Sequence, residues 1–203
     1  MTKIEEKYAE IESTKFEMGA LAFFSNSHKK TREWQALGSV QRLLRLGGEN
    51  SPMYAVEKEP PDFAVYDASN HLWSFVELVE VTMPGERRHD FFRRDAMSDA
   101  PSHYPVPPPM SDPWKPLRDE LDKKANKKYP TPITLIVLYG IGRFAFQNWT
   151  TPFNEQLLAE NSIRPFSKVT AFDRVLVLNC DHNSLTELYP QPKTIVADDP
   201  GLT

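Results

Sequence analysis

Cysteine is almost missing from this chain: Cys180 is the only one in 203 residues. A single thiol cannot close an intrachain disulfide, and such usage fits a reducing compartment. Also missing is any apolar run near the roughly 18 residues that a membrane-spanning helix needs, and the acidic N-terminal stretch lacks the pattern of a signal peptide. Both absences point to a cytoplasmic protein with no membrane partner. Positive charge is in deficit, with a net charge of −4 and a pI near 5.8. That argues against a protein that coats nucleic acid through sheer positive charge. The five histidines, His28, His71, His89, His103 and His182, show no zinc spacing, and one cysteine cannot complete a structural zinc site. The segment "YGIGRF" at 139–144 has two glycines and no lysine, so it fails as a phosphate loop. Cys180 and His182 stand one residue apart with nothing to orient the imidazole, which argues against a nucleophile pair.

What is present is an ordinary globular balance, 40% hydrophobic and 26% charged. A chain of this length buries about 70% of the surface its unfolded form exposes, so its core needs no metal or disulfide to hold it. It suggests a single domain over 1–203. The charge is uneven. "ERRHDFFRR" at 86–94 has four arginines against two acids, and "WKPLRDELDKKANKKY" at 114–129 has six basic residues against three acidic. These two stretches together carry +5 and leave −9 elsewhere.

Apolar spacing sets the expected elements. Ile4, Tyr8, Ile11 and Met18 recur at helical intervals within 3–24, predicting an N-terminal helical arm that docks on the body or on a second copy as a homodimer. "SNS" at 25–27 offers caps for a helix over 28–46 whose inner side is Trp34, Leu37, Val40 and Leu44, and "GGEN" at 47–50 ends it. Strands follow at 52–59, 62–67 and 72–82, the last two joined by "ASNH" at 68–71. Residues 83–113, rich in proline and charge, read as a flexible loop. A helix over 114–129 turns Leu117 and Leu121 inward. "ITLIVLYG" at 133–140 and "FDRVLVLN" at 172–179 are unbroken apolar runs, as expected of strands buried on both faces. Residues 152–161 read as a short helix, and the tail from Ser184 as a short helix or strand. Strands alternating with helices predict an α/β fold, a mixed central sheet with helices on both faces.

The 62–82 hairpin carries a puzzle. Asp62 opens its first strand, and Glu77 and Glu80 lie inside the second, although carboxylates are poor strand formers and are seldom buried alone. If "ASNH" is the turn, pairing partners sum to 139 and Asp62 lies opposite Glu77 with Cβ atoms ~5 Å apart. A three-residue turn would shift the register by one and bring Glu80 to the Asp62 face instead. Two like charges so placed destabilise the sheet unless a cation or a shared proton sits between them. Paired carboxylates suit Mg²⁺ or Mn²⁺, with water and substrate phosphate completing the shell.

"EPPD" at 59–62 followed by a glutamate in the next strand resembles the PD-(D/E)XK, or restriction-endonuclease-like, superfamily. Its core order, helix, three strands, helix, strand, is matched by the elements expected over 29–140, with 141–203 as a strand and helix extension. More narrowly, "FFSNSHKKTREW", "QRLL", "EPPD" and "LDKKANKKY" resemble a bacterial family of unknown function described as endonucleases. The resemblance implies Mg²⁺-dependent hydrolysis of phosphodiester bonds in DNA. It implies Asp62 and Glu77, or Glu80 in the other register, as metal ligands, with Glu33 as the helix glutamate. The superfamily places a lysine two residues after the strand glutamate, and here that position is Val79. Lys124 stands three and seven residues beyond Leu121 and Leu117, so its stem can run along apolar surface and bring the ammonium to the sheet. Lys123, Lys127 and Lys128 are the competing donors. Arg87, Arg88, Arg93 and Arg94, with these lysines, are the candidates to grip phosphates. The alternative is a catalytically inactive module of the same fold that binds nucleic acid or a protein.

Overall fold

The computed structural model describes residues 1–18, 28–81, 115–139, 170–179, 184–190 and 193–196. The elements run β1 (Thr2–Lys3), α1 (Ile4–Met18), α2 (Lys29–Leu46), β2 (Met53–Glu57), β3 (Phe63–Asp67), β4 (Leu72–Val81), α3 (Lys115–Ala125) and β5 (Ile133–Tyr139). β6 (Arg174–Asn179), β7 (Ser184–Tyr189) and β8 (Lys193–Val196) complete the described elements. The eight strands among the described residues lie in one sheet in sequence order. β1 to β4 are antiparallel neighbours, β4, β5 and β6 are parallel, and β6 to β8 are antiparallel again. Parallel neighbours need a crossover, and α3 lies on the one joining β4 to β5. The protein is an α/β fold on a mixed sheet, with the order helix, three strands, helix, strand from α2 to β5.

Strand alternation divides the core in two. Val76 and Leu78 of β4, Ile136 of β5 and Leu176 and Leu178 of β6 pack under α1 and α2 with Ile4, Ile11, Trp34, Leu37, Val40 and Leu43. Val79 and Val81, Leu135 and Val137, and Val175 and Val177 pack on the other face with Leu117 and Leu121 of α3. Each fully buried leucine there contributes roughly 1.5–3 kcal/mol relative to leaving it in water. α1 docks on its own chain: Ile4 and Ile11 are buried, and a Cβ built on Gly38 of α2 would stand 2.5 Å from Tyr8 Cβ. The two helices can approach this closely only because Gly38 has no side chain.

Several boundaries differ from the sequence expectation. The first helix starts at Ile4, after Thr2–Lys3 has paired with Tyr54 and Ala55 of β2 as a short edge strand. α2 is preceded by His28, which makes no side-chain cap bond. Gly48, at φ +96°, supplies the left-handed turn that ends α2, and Glu49 N–H donates to the Leu44 carbonyl at 2.9 Å. α3 ends at Ala125, so Lys127 and Lys128 stand beyond it, with Lys127 N–H closing on the Lys124 carbonyl at 3.0 Å. The tail forms two strands, β7 and β8. The 83–113 loop with Arg87, Arg88, Arg93 and Arg94, the 152–161 helix, the cap candidates 25–27 and the side chain of Met18 lie outside the described residues. Among the described residues no helix is long and apolar enough to cross a membrane.

Candidate functional site

The hairpin register is the one that sums to 139: Phe63 faces Val76 and Asp67 faces Leu72, around a turn over 68–71. The pleat then sends Glu77 to the face that α3 covers, along with Val79 and Val81. Glu80, three residues on, points to the opposite face. The register that would have made Glu80 a partner of Asp62 is not adopted, because "ASNH" forms the whole turn and a one-residue slip would have inverted every buried side chain of β4.

β3 begins at Phe63, so Asp62 stands where the ladder stops. Its Oδ2 accepts the Leu78 N–H of β4 at 2.8 Å. The side chain thus takes the bond that a longer β3 would have supplied from its backbone, and this fixes Asp62 at the open edge of β4. Both carboxylates are buried, Asp62 at 8% and Glu77 at 5% exposure. Burial raises the Asp62 pKa, the Leu78 N–H opposes the rise, and the charges of Glu33 and Glu77 add to it.

Cations arrive from both helical layers. From α3, Lys124 Nζ donates to Glu77 Oε1 at 2.5 Å and approaches the Leu78 carbonyl at 3.4 Å. Its stem is packed as the Leu117 and Leu121 spacing predicts, and only 16% of the side chain is exposed. Lys127 Nζ stands 3.9 Å from the same Glu77 oxygen. From α2, Lys30 Nζ lies 2.8 Å from Glu33 Oε2, 2.9 Å from Glu59 and 3.9 Å from Asp62 Oδ1. Burial alone would lower the Lys30 pKa, but its bonds to Glu33 and Glu59 and the charges of Glu33 and Asp62 hold it above its ordinary value. Lys29 reaches the other Glu33 oxygen at 3.2 Å. Tyr129, just past α3, has a buried hydroxyl whose pKa is raised by burial and by the charge of Glu77.

The structure therefore brings together Asp62, Glu77, Lys124 and Glu33, with Lys127 at the margin. Glu33 acts at one remove, since both its oxygens are taken by Lys29 and Lys30. Lys123 points away and pairs with Glu120 on its own helix. Lys128 is exposed. Lys30, Glu59 and Tyr129 were not singled out in the sequence. Lys30 carried a signal, standing three residues before Glu33 on one helix face; for Tyr129 there was none.

As a cation site the donor set is small. Among the described residues no group of three or more histidine, cysteine, aspartate or glutamate side chains is placed to hold a metal. The oxygens on hand are those of Asp62 and Glu77 and the Leu78 carbonyl, and an ammonium already contacts two of them. That set suits Mg²⁺, which takes one or two protein carboxylates and fills its octahedron with water and phosphate, and does not suit Zn²⁺. Set against protein-family models, curated proteins and solved structures, the chain matches none of them.

Proposed function

We propose that the chain is a metal-dependent nuclease of the restriction-endonuclease-like kind that hydrolyses phosphodiester bonds of DNA at the Asp62–Glu77 edge of β4. One observation carries the reading: two buried carboxylates, Asp62 just ahead of β3 and Glu77 inside β4, meet at Leu78, whose N–H bonds Asp62 and whose carbonyl is approached by the Lys124 ammonium that bonds Glu77. Asp62, Glu77 and the Leu78 carbonyl would hold Mg²⁺ or Mn²⁺. Such an ion would supply Lewis acidity at a scissile phosphate and would make a nearby water a stronger nucleophile.

The remaining roles belong to the chain. Lys124 releases Glu77 and turns its ammonium to a phosphate oxygen, where it stabilises the charge that grows in the transition state. The flexible stem allows this without moving α3. Lys30, gripped by Glu33 and Glu59, stays beside Asp62 Oδ1 and opposes the rise that burial gives that carboxylate's pKa. Val79, at the position where the superfamily carries lysine, packs in the core under α3. A lysine there would have been buried among Val81, Leu117 and Leu121, which is a physical reason for the ammonium to come from α3.

The test is to incubate supercoiled plasmid and single-stranded DNA with the protein in Mg²⁺, in Mn²⁺ and in chelator, beside Asp62→Asn and Glu77→Gln. Cleavage that needs the ion and is lost in both variants is the expected result. If no substrate is cut and calorimetry detects no Mg²⁺ binding that either variant removes, the nuclease reading falls. The inactive binding module then takes its place.

A further inference from the structure

Among the described residues, α3 packs over only part of its side of the sheet. Leu117 and Leu121 lie with the second half of β4 and with β5 and β6, and no described helix lies over β2, β3 and the start of β4 on that side. There the pairings line up three aromatic residues across three strands: Tyr54 faces Tyr66, and Tyr66 faces Trp73. The assignment to one side follows from the pleat, because Met53, Ala55, Phe63 and Val65 pack into the opposite core. Tyr66 and Trp73 stand 5.2 Å apart between ring centroids, and Trp73 is 48% exposed. In the next row toward the carboxylates the Phe75 ring lies at the edge of the core, with Lys58 Nζ 5.0 Å from its centroid. Glu77 follows Phe75 on the same face. From Trp73 to Glu77 is four residues, roughly 14 Å along the strand.

We infer that this face, on which Trp73 is exposed, is a stacking platform for single-stranded nucleic acid, feeding a strand from the aromatic row toward the Asp62–Glu77 edge. The occupant follows from three features. The row is made of flat rings, which accept any base face and tolerate any sequence. Lys58 and Lys127 are exposed beside the path and Lys124 stands at its end, so phosphates meet positive charge while bases lie on the rings. The row also runs into the carboxylates through one continuous register, so a strand seated on it is delivered to them. A duplex could not use the platform, because its bases are already stacked on one another. The inference deepens the nuclease reading by naming the substrate, and it rests on that reading only for the delivery step; binding itself needs no metal.

The experiment is fluorescence anisotropy of labelled single-stranded DNA, single-stranded RNA and duplex DNA of one length, with the full chain in chelator. Trp73→Leu, Trp73→Phe and Tyr66→Ala are the variants, each checked by thermal melting. We expect single strands to bind more tightly than duplex, and the DNA and RNA arms to show which backbone is preferred. Trp73→Leu keeps apolar area but loses the ring and should weaken binding roughly 5- to 100-fold, while Trp73→Phe should restore most of it. Equal binding of duplex and single strand, or single-strand binding indifferent to Trp73→Leu and Tyr66→Ala, overturns the platform. So does a dimer in solution that Trp73→Leu dissociates, which would give the face to a second copy. The two readings can fail separately. Binding that depends on Trp73 without any cleavage keeps the platform and removes the nuclease. Cleavage that depends on Asp62 and Glu77 but ignores Trp73 and Tyr66 does the reverse.

Discussion

Replacing Lys124 with methionine keeps the length and apolar stem of the side chain and deletes the ammonium. The consequence can be worked from the site. Glu77 is 5% exposed and the Lys124 side chain 16%, so the pair is close to buried, and removing one member of a buried pair costs about 3–5 kcal/mol. Lys127, 3.9 Å from the same oxygen, can recover part of this, but its side chain is 55% exposed and such pairs contribute at most about 1 kcal/mol. The expected loss for Lys124→Met is therefore about 2–4 kcal/mol, a fall in melting temperature of roughly 5–15 °C for a chain of this size. Glu77→Gln in the same chain should return most of it, because the orphaned charge goes too. A second measurement ties the loss to the proposed metal site. The ammonium contacts Glu77 Oε1 and the Leu78 carbonyl, which belong to two of the three groups assigned to Mg²⁺, so the two cations compete. Mg²⁺ at a hundred times its dissociation constant from Lys124→Met should stabilise that variant by about 2.7 kcal/mol, and the native chain by less at the same concentration. Urea unfolding with and without Mg²⁺ reads both effects. Native-like stability of Lys124→Met, or equal stabilisation of the two proteins by Mg²⁺, would refute the reasoning.

Two further outcomes test parts of the fold away from the site. Arg174 at the start of β6 donates to both Glu49 oxygens, at 3.0 and 2.7 Å, and its hydrogen bond is the largest influence holding the Glu49 pKa below its ordinary 4.5. A depressed carboxylate stabilises the fold above its unfolded pKa and loses that contribution as pH falls through the folded one. Glu49→Gln should thus cost about 1 kcal/mol at neutral pH after allowing for solvent screening. In urea titrations at a series of pH values, this difference should hold steady down to about 4.5 and close below it. Gly38→Ala places a methyl 2.5 Å from Tyr8 Cβ, so the two helices must part; thermal melting should show a loss of about 1–3 kcal/mol that Tyr8→Ala fails to rescue, since that Cβ remains.

How much of this was legible in the sequence depends on how local the cause is. The β3–β4 register was only half readable: the alternating apolar residues place the hairpin, but the turn length left Glu77 and Glu80 both open opposite Asp62, and it is the four-residue turn, with Phe63 facing Val76, that decides for Glu77. The approach of Lys124 was readable because Leu117 and Leu121 fix which side of α3 is buried. The edges were not. Thr2–Lys3 is too short to show any period, and it is a strand only because β2 offers it a free edge. The tail could be read as helix or strand, since "SLTELY" has no helical stripe and its alternation is weak; its partners, β6 and β8, decide it. Lys30 was hidden for another reason. In sequence it belongs to a run of charges opening a helix, and such runs usually face water; only the approach of Asp62 and Glu59 from elsewhere in the chain turns it inward.

The same geometry answers the question the hairpin posed. Ion pairs taken out of water generally return less stability than apolar residues filling the same volume. Val or Leu at 62 and 77 would pack against the existing core without asking lysines to reach in from two helices. The arrangement instead keeps Asp62 at the end of a ladder, bonded through its side chain in place of a backbone carbonyl, with a raised pKa that registers its unfavourable desolvation. It keeps Lys124 on Glu77 through a long mobile stem. Packing does not account for these choices. Each becomes intelligible if the carboxylates must be ready for a cation and the ammonium must be free to leave one oxygen for another. A lysine anchored at position 79, inside the core, could not make that exchange without opening the sheet, whereas one swinging from α3 can make it by changing rotamers.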